Sequence, residues 1–219
     1  MSKKKLKINF LIDGFNLYHS ICNTRACKWL DIKSLLDSYL YLLGNEEESI
    51  FMGDIFYFSA LAHHLQDRSP DTVPKHRIYI KALESTGVIP VLGKFKKKDV
   101  YCHLCKGTLK KHEEKQTDVS IGIKILELCI LDECDIIGLV SGDTDLIPAI
   151  STAQRLFPAK EIVIFAPGAR ISKELKKTVK RTFNMNSAVY NKHSFPQRIN
   201  HNGNIIQNPF SKKSQSGSK

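Results

Sequence analysis

The sequence lacks the features that would mark a membrane-embedded or secreted protein. None of its apolar runs is long enough to cross a bilayer, and no signal-peptide-like apolar segment follows the basic start Met-Ser-Lys-Lys-Lys-Leu-Lys. Its six cysteines, in a chain without secretion features, indicate reduced thiols or a bound metal rather than a disulfide scaffold. We therefore expect a cytoplasmic protein that does not associate with membranes.

Acidic residues are scarce relative to basic ones. The 219 residues include 22 Asp and Glu against 33 Lys and Arg, so the formal net charge is +11 and the isoelectric point is about 9.3. Such an excess favours a polyanionic partner, most simply nucleic acid, although ordinary solvated lysines would give the same balance. The apolar fraction of 42% is typical of a soluble globular domain.

Apolar runs and helical patterns alternate along the chain. This alternation predicts a mostly parallel sheet with helices on both faces, which is a three-layer α/β/α sandwich. We expect one domain over residues 1–190, with a cysteine-containing loop insertion at about 96–114, and a polar, basic, disordered tail over 191–219. The predicted strands are 7–12, 49–59, 88–95, 135–140, 161–165 and a short one near 188–190. The predicted helices are 31–43, 76–86, 117–132, 145–157 and 172–179.

Aspartates lie where the apolar runs end. Asp13 directly follows the first run, and Asp143 and Asp145 follow the run at 136–140. Because the carboxyl ends of parallel strands line the ligand crevice of such a sheet, we expect these carboxylates to converge. Crowded carboxylates repel one another, and a divalent cation removes that repulsion. The pattern therefore predicts a Mg²⁺ or Mn²⁺ site that acts on phosphate.

The individual acids differ in what else would explain their positions. Asp118 lies in the first turn of a predicted helix, where an acid also stabilises the helix dipole without binding any ligand. Of the pair after the later strand, Asp143 is the better metal-ligand candidate, and Asp145 is the better candidate for a helix cap or for a residue that supports the ligands. Asn16 follows Asp13 closely enough to hold a phosphate, a water or that carboxylate.

Three segments stand out by their order and spacing. They are Leu11-Ile12-Asp13-Gly14-Phe15-Asn16, Glu114-Lys115-Gln116-Thr117-Asp118-Val119 and Val140-Ser141-Gly142-Asp143-Thr144-Asp145-Leu146. Together they resemble the motifs of the NYN domain, a branch of the PIN-like nuclease superfamily, and the resemblance extends from about residue 7 to about residue 182. It implies a PIN-like α/β/α fold and a ribonuclease that hydrolyses RNA with bound Mg²⁺ or Mn²⁺.

The resemblance also implies roles for individual residues. Asp13, Asp118 and Asp143 correspond to the metal-binding acids, and Asn16 and Asp145 correspond to supporting residues. In such a site, cations activate water and stabilise the charge that develops on the phosphate.

Two details of this predicted site stay open. Thr144 is a candidate for orienting a metal-bound water through its hydroxyl group. PIN-like proteins often have one more acid on a helix, and the candidates here are Asp54, Glu113 and Glu114.

Two other functions compete with nuclease activity. A haloacid-dehalogenase-type phosphatase also begins with a strand that ends in aspartate, but it needs a second acid two residues later, where this chain has Phe15. The alternative from a different class is a catalytically inactive module that keeps the fold and binds nucleic acid or protein. A homo-oligomer is compatible with each of these functions.

The Cys-x-x-Cys spacing at residues 102–105 is typical of a zinc knuckle. A structural zinc ion needs two more ligands, for which Cys22, Cys27 and His112 are candidates. Cys27-Lys28-Trp29-Leu30-Asp31 resembles a segment of NYN proteins that also carry such a loop, which favours Cys27. Two reduced thiols in a polar loop are the alternative. The predicted zinc ligands are Cys27, Cys102, Cys105 and His112.

Basic residues are concentrated in two segments that could follow a nucleic-acid backbone. One segment precedes the cysteine pair, and the other lies on the last predicted helix, where i, i+3, i+4 spacing places lysines on one face. Phe95 and Tyr101 are candidates for stacking on bases. A solvated helix face is the alternative explanation. The predicted nucleic-acid-binding residues are Lys96, Lys97, Lys98, Lys173, Lys176, Lys177 and Lys180.

Overall fold

The computed structural model describes residues 3–21, 28–66, 68–101, 106–168, 171–185 and 187–211, and at residues 97, 99, 100, 109–114 and 187 it describes the backbone alone. The strands are β1 (Lys4–Asp13), β2 (Glu48–Ala60), β3 (Val88–Tyr101), β4 (Thr108–Lys115), β5 (Ile136–Val140), β6 (Glu161–Pro167), β7 (Arg181–Met185), β8 (Arg198–His201) and β9 (Asn204–Gln207). The helices are α1 (Gly14–Ile21), α2 (Ile32–Leu43), α3 (Thr72–Glu84), α4 (Thr117–Ile130), α5 (Ile147–Leu156), α6 (Lys173–Thr178) and α7 (Ser187–Tyr190).

Seven of the described strands form one sheet, in the order β4-β3-β2-β1-β5-β6-β7. All neighbouring pairs are parallel except β3 and β4, which pair antiparallel at one edge. From β1 the chain builds outward through β2 and β3, and it then crosses back to β5 on the other side. The strand order therefore reverses between β1 and β5. In open α/β sheets, ligands bind at the carboxyl ends of the strands at such a reversal.

The two faces of the sheet are covered by different helices. Helices α1, α2 and α3 pack with Phe10 and Ile12 of β1 on one face. Helices α4, α5 and α6 pack with Leu11 on the other face, as expected from the alternation of side chains along a strand. This arrangement confirms the predicted α/β/α sandwich with a mostly parallel sheet. None of the helices in the described ranges is long and apolar enough to cross a membrane.

The segment predicted to be a loop insertion consists largely of two paired strands. β3 continues to Tyr101 and β4 begins at Thr108, with cross-strand partners from Lys94 and Lys115 outward. Pairing between β2 and β3 ends at Gly93, so the β3–β4 pair projects beyond the carboxyl edge of the sheet. The predicted strand 88–95 is the first part of β3. The continuation of β3 beyond Phe95 and all of β4 were not predicted, because this part of the chain is rich in lysine and lacks the apolar alternation of a half-buried strand.

The prediction of a disordered tail is wrong for residues 191–211, and residues 187–190 form a helix rather than the expected short strand. β8 and β9 pair as a hairpin. Phe195 is buried against Trp29, with 5.4 Å between the ring centroids, and its backbone amide donates to the Trp29 carbonyl. The indole N–H of Trp29 in turn donates to the Pro196 carbonyl. The scattered aromatic residues of a polar segment therefore complete the core beside α2.

Candidate active site

The first carboxylate of the site lies where β1 meets α1. Asp13 is the last residue of β1, only 4% exposed, and it lies opposite Phe58 in the register with β2. Helix α1 begins at the next residue, Gly14. A Cβ at that position would come within 2.6 Å of the Phe58 carbonyl oxygen and of Cζ of Tyr57. Only glycine lets the chain turn this tightly against β2, so Gly14 sets the position of Asp13 at the sheet edge.

Asp13 is held by hydrogen bonds to both of its carboxylate oxygens. Oδ1 accepts from the Asn16 backbone amide at 2.9 Å, and Oδ2 accepts from the Ser141 hydroxyl at 2.9 Å. Burial raises the pKa of Asp13, the hydrogen bonds from Asn16 and Ser141 lower it, and the charges of Asp118 and Asp143 raise it further. The net result is a raised pKa, so this carboxylate lies in a setting that disfavours its negative charge.

Ser141 connects the ends of the two central strands. Ile12 lies opposite Val140 in the parallel register, so the next residues of each strand, Asp13 and Ser141, lie side by side. The Ser141 hydroxyl also accepts from the Asp143 backbone amide at 3.1 Å. Sequence analysis gave Ser141 no role, although its place after an apolar strand matches that of Asp13.

The loop after β5 presents the second carboxylate. Asp143 caps the short 3₁₀ helix Thr144–Leu146, because its Oδ1 accepts from the Asp145 backbone amide at 2.9 Å. The expectation that Asp145 would be the cap is therefore wrong: Asp145 lies in the first turn and is exposed. Asn16 also contacts this loop, since its Oδ1 accepts from the Gly142 amide at 3.1 Å.

The third carboxylate comes from the other side of the sheet edge. Asp118 lies in the first turn of α4, next to Thr117, which packs closely on β3. A Cβ on Gly93 would lie 3.0 Å from the Thr117 hydroxyl and 3.1 Å from the Lys115 carbonyl. Gln116 precedes α4 with a φ of +84°, in the left-handed region. A small residue on β3 and a left-handed turn therefore bring the start of α4 over the sheet.

The charges of the acids across the cleft affect the pKa of Asp118. The residue as a whole is exposed, yet loss of hydration at its carboxylate and then the charges of Asp143 and Asp145 raise its pKa. A cleft of about 230 Å³ separates these groups. Its lining residues are Asp13, Phe15, Asn16, Thr117, Asp118 and Asp143.

The chemistry of the side chains that line the cleft and the distances between them lead to different conclusions about a bound cation. Carboxylate and amide oxygens are the hard ligands that Mg²⁺ and Mn²⁺ take, so the chemistry of the lining fits such an ion. Within the described ranges, however, no three His, Cys, Asp or Glu side chains form a group that could hold a metal. The carboxylates still lie near enough for their charges to act on one another, since Asp118 and Asp143 add to the effect of burial in raising the pKa of Asp13.

Of the candidates for a further acid, Asp54 lies outside the cleft, and of Glu113 and Glu114 the structure describes the backbone alone. Asp54 lies within β2, where its backbone amide donates to Asn9 and its carboxylate lies 3.7 Å from the Lys7 ammonium. These partners precede Asp13 by four and six residues along β1, and Asp54 does not line the cleft. Glu113 and Glu114 lie on β4 opposite Lys96 and Phe95.

Most of the predicted zinc ligands fall outside the described part of the chain. This applies to Cys27, Cys102 and Cys105, and to the alternative ligand Cys22. Of His112 the structure describes the backbone alone, which lies opposite Lys97 in the β3–β4 pair.

The predicted nucleic-acid-binding lysines lie in two places. Lys96 and Lys98 are exposed on the part of β3 that projects beyond the sheet, and Lys97 lies between them. Lys173, Lys176 and Lys177 are exposed on α6. Lys180 is exposed as well, but α6 ends at Thr178 and Val179 is extended. The expectation that Lys180 continues the same helix face is therefore wrong.

Comparison with known proteins identifies the family. The family model of the NYN domain matches residues 7–186. No curated protein matches the chain significantly. A solved structure of a protein of unknown function from Vibrio parahaemolyticus is similar, with a TM-score of 0.55 and 16% identity over 85% of this chain and 97% of the other. A protein assigned as a UDP-N-acetylglucosamine 2-epimerase from Listeria monocytogenes gives a TM-score of only 0.30 and 13% identity, over 75% of this chain and 32% of the other.

Proposed function

This chain belongs to the NYN domain family of PIN-like nucleases, and from that premise we propose that it is a metal-dependent nuclease that hydrolyses phosphodiester bonds, with RNA as its favoured substrate. The observation that carries the proposal is the meeting of Asp13, Asp118 and Asp143 at one cleft between β1 and β5. These acids come from three segments of the chain. Beyond the larger effect of burial, the charges of Asp118 and Asp143 raise the pKa of Asp13, and the charge of Asp143 raises the pKa of Asp118. A fold has no structural need for such repulsion, whereas a cation site does.

We assign roles to individual residues of the site. Asp13, Asp118 and Asp143 would hold Mg²⁺ or Mn²⁺, with Asn16 and Asp145 in support. When bound, the cation supplies Lewis-acid stabilisation of the phosphate and activates a water. Asn16 keeps the ends of β1 and β5 together through its bonds to Asp13 and Gly142. Thr144 follows Asp143 in the chain, and we assign its hydroxyl group a role in orienting water.

The polymer is proposed from charge. The net charge of +11 and the exposed lysines on β3 and α6 favour a polyanion, and contacts to its backbone would weaken steeply with salt. We assign these contacts to Lys96, Lys97, Lys98, Lys173, Lys176, Lys177 and Lys180. A cytoplasmic location suits the free thiols of Cys129 and Cys134.

One observation favours a second function, a catalytically inactive nucleic-acid-binding module. The described acids include no group of three that could hold a metal as they stand. The two functions differ in a single measurable property, which is whether the protein cuts nucleic acid with manganese present.

The decisive experiment is a manganese-dependent cleavage assay on end-labelled RNA and DNA of the same sequence. We expect Asp143→Asn to lower the cleavage rate by at least about a hundredfold, as removal of a metal-binding acid does. Asparagine caps helices as well as aspartate does, so this change removes the charge while the 3₁₀ helix keeps its cap. Asp37→Asn, on the exposed side of α2, is the matched control and should cut like the wild type.

The outcomes of this assay separate the two functions. Cleavage that chelators abolish and that Asp143→Asn lacks would support the nuclease. Wild-type protein that binds RNA but leaves both substrates intact at every manganese concentration would establish the inactive binding module instead.

We also propose that Cys27, Cys102, Cys105 and His112 hold a structural zinc ion. The Cys-x-x-Cys spacing supports this, as do the paired strands β3 and β4 on either side of it. Metal analysis of protein purified without added metal should find about one zinc per chain, and Cys102→Ser should lower that value. Less than about half an equivalent in the wild type would contradict the proposal.

A further inference from the structure

Helix α1 carries two large aromatic side chains that its packing does not explain. Gly14, Leu17 and Ile21 form its buried side against the sheet. Phe15 and Tyr18 lie outside this buried side and are 47% and 46% exposed. Exposed aromatic surface costs free energy in water, so a ligand that covers these rings would account for them better than folding does.

These rings begin at the cleft itself. Phe15 lines the cleft together with Asp13, Asp118 and Asp143. The ring of His19, one helical turn later, meets the Phe15 ring edge-on, with 4.4 Å between the centroids and 72° between the planes. The Tyr18 and His19 rings are 5.8 Å apart at 78°. A continuous set of rings therefore leads from the carboxylates along the first turns of α1.

A cation lies at the far end of this set. The Lys28 ammonium group is 5.6 Å from the centroid of the Tyr18 ring. An aromatic surface that starts at a phosphate-cleaving site and ends at a positive charge matches the repeating pattern of a nucleic-acid strand, in which bases alternate with phosphates.

We propose that Phe15 and Tyr18 stack on unpaired bases beside the cleaved phosphate and thereby position the strand in the cleft. In a duplex the faces of the bases are covered by their neighbours, so a ring at this position gains contact only with a base that has left the stack. Such stacking tolerates any base, because every base has an aromatic face. The inference rests on the proposed nuclease function, and it adds which side chains of this chain contact the bases.

The test measures binding rather than cleavage. In an Asp143→Asn background with manganese present, a labelled single strand of ten nucleotides is titrated beside a duplex of the same sequence. We expect Phe15→Leu to weaken single-strand binding by about tenfold, Tyr18→Leu by less, and both to change duplex binding by less than about twofold. Phe15→Tyr, which keeps the ring, should bind like its parent.

A matched control comes from the opposite edge of the sheet. Tyr41 is 77% exposed near the end of α2, close to Lys3 and Gly44, and Tyr41→Leu should leave both affinities unchanged. Equal melting temperatures of all variants would show that they fold, as expected for exposed positions.

The failure of this inference can be told apart from the failure of the proposed function. If the wild type cuts RNA but Phe15→Leu retains the full preference for single strands, or loses single-strand and duplex binding equally, the stacking role is wrong and the nuclease stands. If the wild type cuts nothing while Phe15→Leu still loses its single-strand preference, the stacking role stands and the nuclease is wrong.

Discussion

Asp13 and Asp143 lie on one wall of the cleft, within a hydrogen-bonded network that also includes Asn16, Ser141 and Gly142. We call these five residues the network wall. Across the cleft, Asp118 and Thr117 form the helix wall, where Asp118 is exposed on the first turn of α4. The network wall ties together two adjacent strands of the sheet. The helix wall depends on how α4 packs against β3.

This difference shows how a site of like charges can be built into a stable fold. The buried acid, Asp13, receives two hydrogen bonds that offset part of the cost of its burial. The acid that completes the repulsive group, Asp118, is placed where water still reaches it. Because water reaches Asp118, the repulsion between the carboxylates of the two walls is weaker. The site therefore destabilises the fold less.

Among the variants that test the difference between the two walls, Gly14→Ala should change the free energy of unfolding most. The added methyl group would come within 2.6 Å of backbone and ring atoms on β2, so the network wall must shift, at a cost of about 3 kcal/mol in the free energy of unfolding. The methyl group that Gly93→Ala adds would lie 3.0 Å from the Thr117 hydroxyl oxygen. This change should lower the free energy of unfolding by less and move only the helix wall. Urea denaturation measures both values, and an equal or reversed order would contradict the comparison. Gly142→Ala, with a nearest contact of 3.6 Å, is the control.

Ser141→Ala should have the next largest effect. It removes the hydroxyl that donates to Asp13 and accepts from the Asp143 amide, and a buried polar group left without a partner costs about 1–3 kcal/mol. Loss of the hydrogen bond from Ser141 to Asp13 also removes one of the factors that lower the Asp13 pKa. Thermal unfolding measures the change.

Ser38→Ala is a matched control for this prediction. The Ser38 hydroxyl donates only to the Leu35 carbonyl within α2, so its removal should change the melting temperature by a small amount. If both variants melt alike, the bonds of Ser141 do not hold the network wall together.

The smallest predicted change in the free energy of unfolding comes from the turn that precedes the helix wall. Gln116 adopts a φ of +84°, which glycine tolerates far better than other residues do. Gln116→Gly should therefore raise the free energy of unfolding by about 0.5 kcal/mol. Gln66→Gly is the control, since Gln66 has a φ of −60° and should lose about that amount. Denaturation curves in which Gln116→Gly is also destabilised would show that this turn does not store strain.

Much of the fold could be predicted because its core strands are buried on both faces. The runs that end at Asp13 and Val140 have no polar alternation, which is typical of the centre of a parallel sheet, and both lie there. Patterns failed where burial is one-sided or comes late in the chain. β4 is too polar to resemble a strand, and Phe195 fills a gap beside Trp29 that no local pattern shows.

The candidate site was predictable in position but not in its connections. The end of a strand is visible in the sequence, so Asp13 and Asp143 could be chosen from local order alone. That Asp143 is the cap, and not Asp145, could not be predicted, because either residue can cap the helix turn that follows. The role of Ser141 depends on the register between β1 and β5, which is a property of two segments far apart in the chain.

By itself, the sequence determined the α/β class, the carboxyl-end placement of the acids and the basic charge, because each depends on local periodicity or on composition. The tertiary structure alone decided which acids face one another, which hydroxyl group supports Asp13, and that Phe15 lies in the cleft instead of in the core. Asp13, for example, is more than a hundred residues away in the chain from both Asp118 and Ser141. Strand order and register set the distances between such residues in the fold, and neither can be read from one stretch of chain.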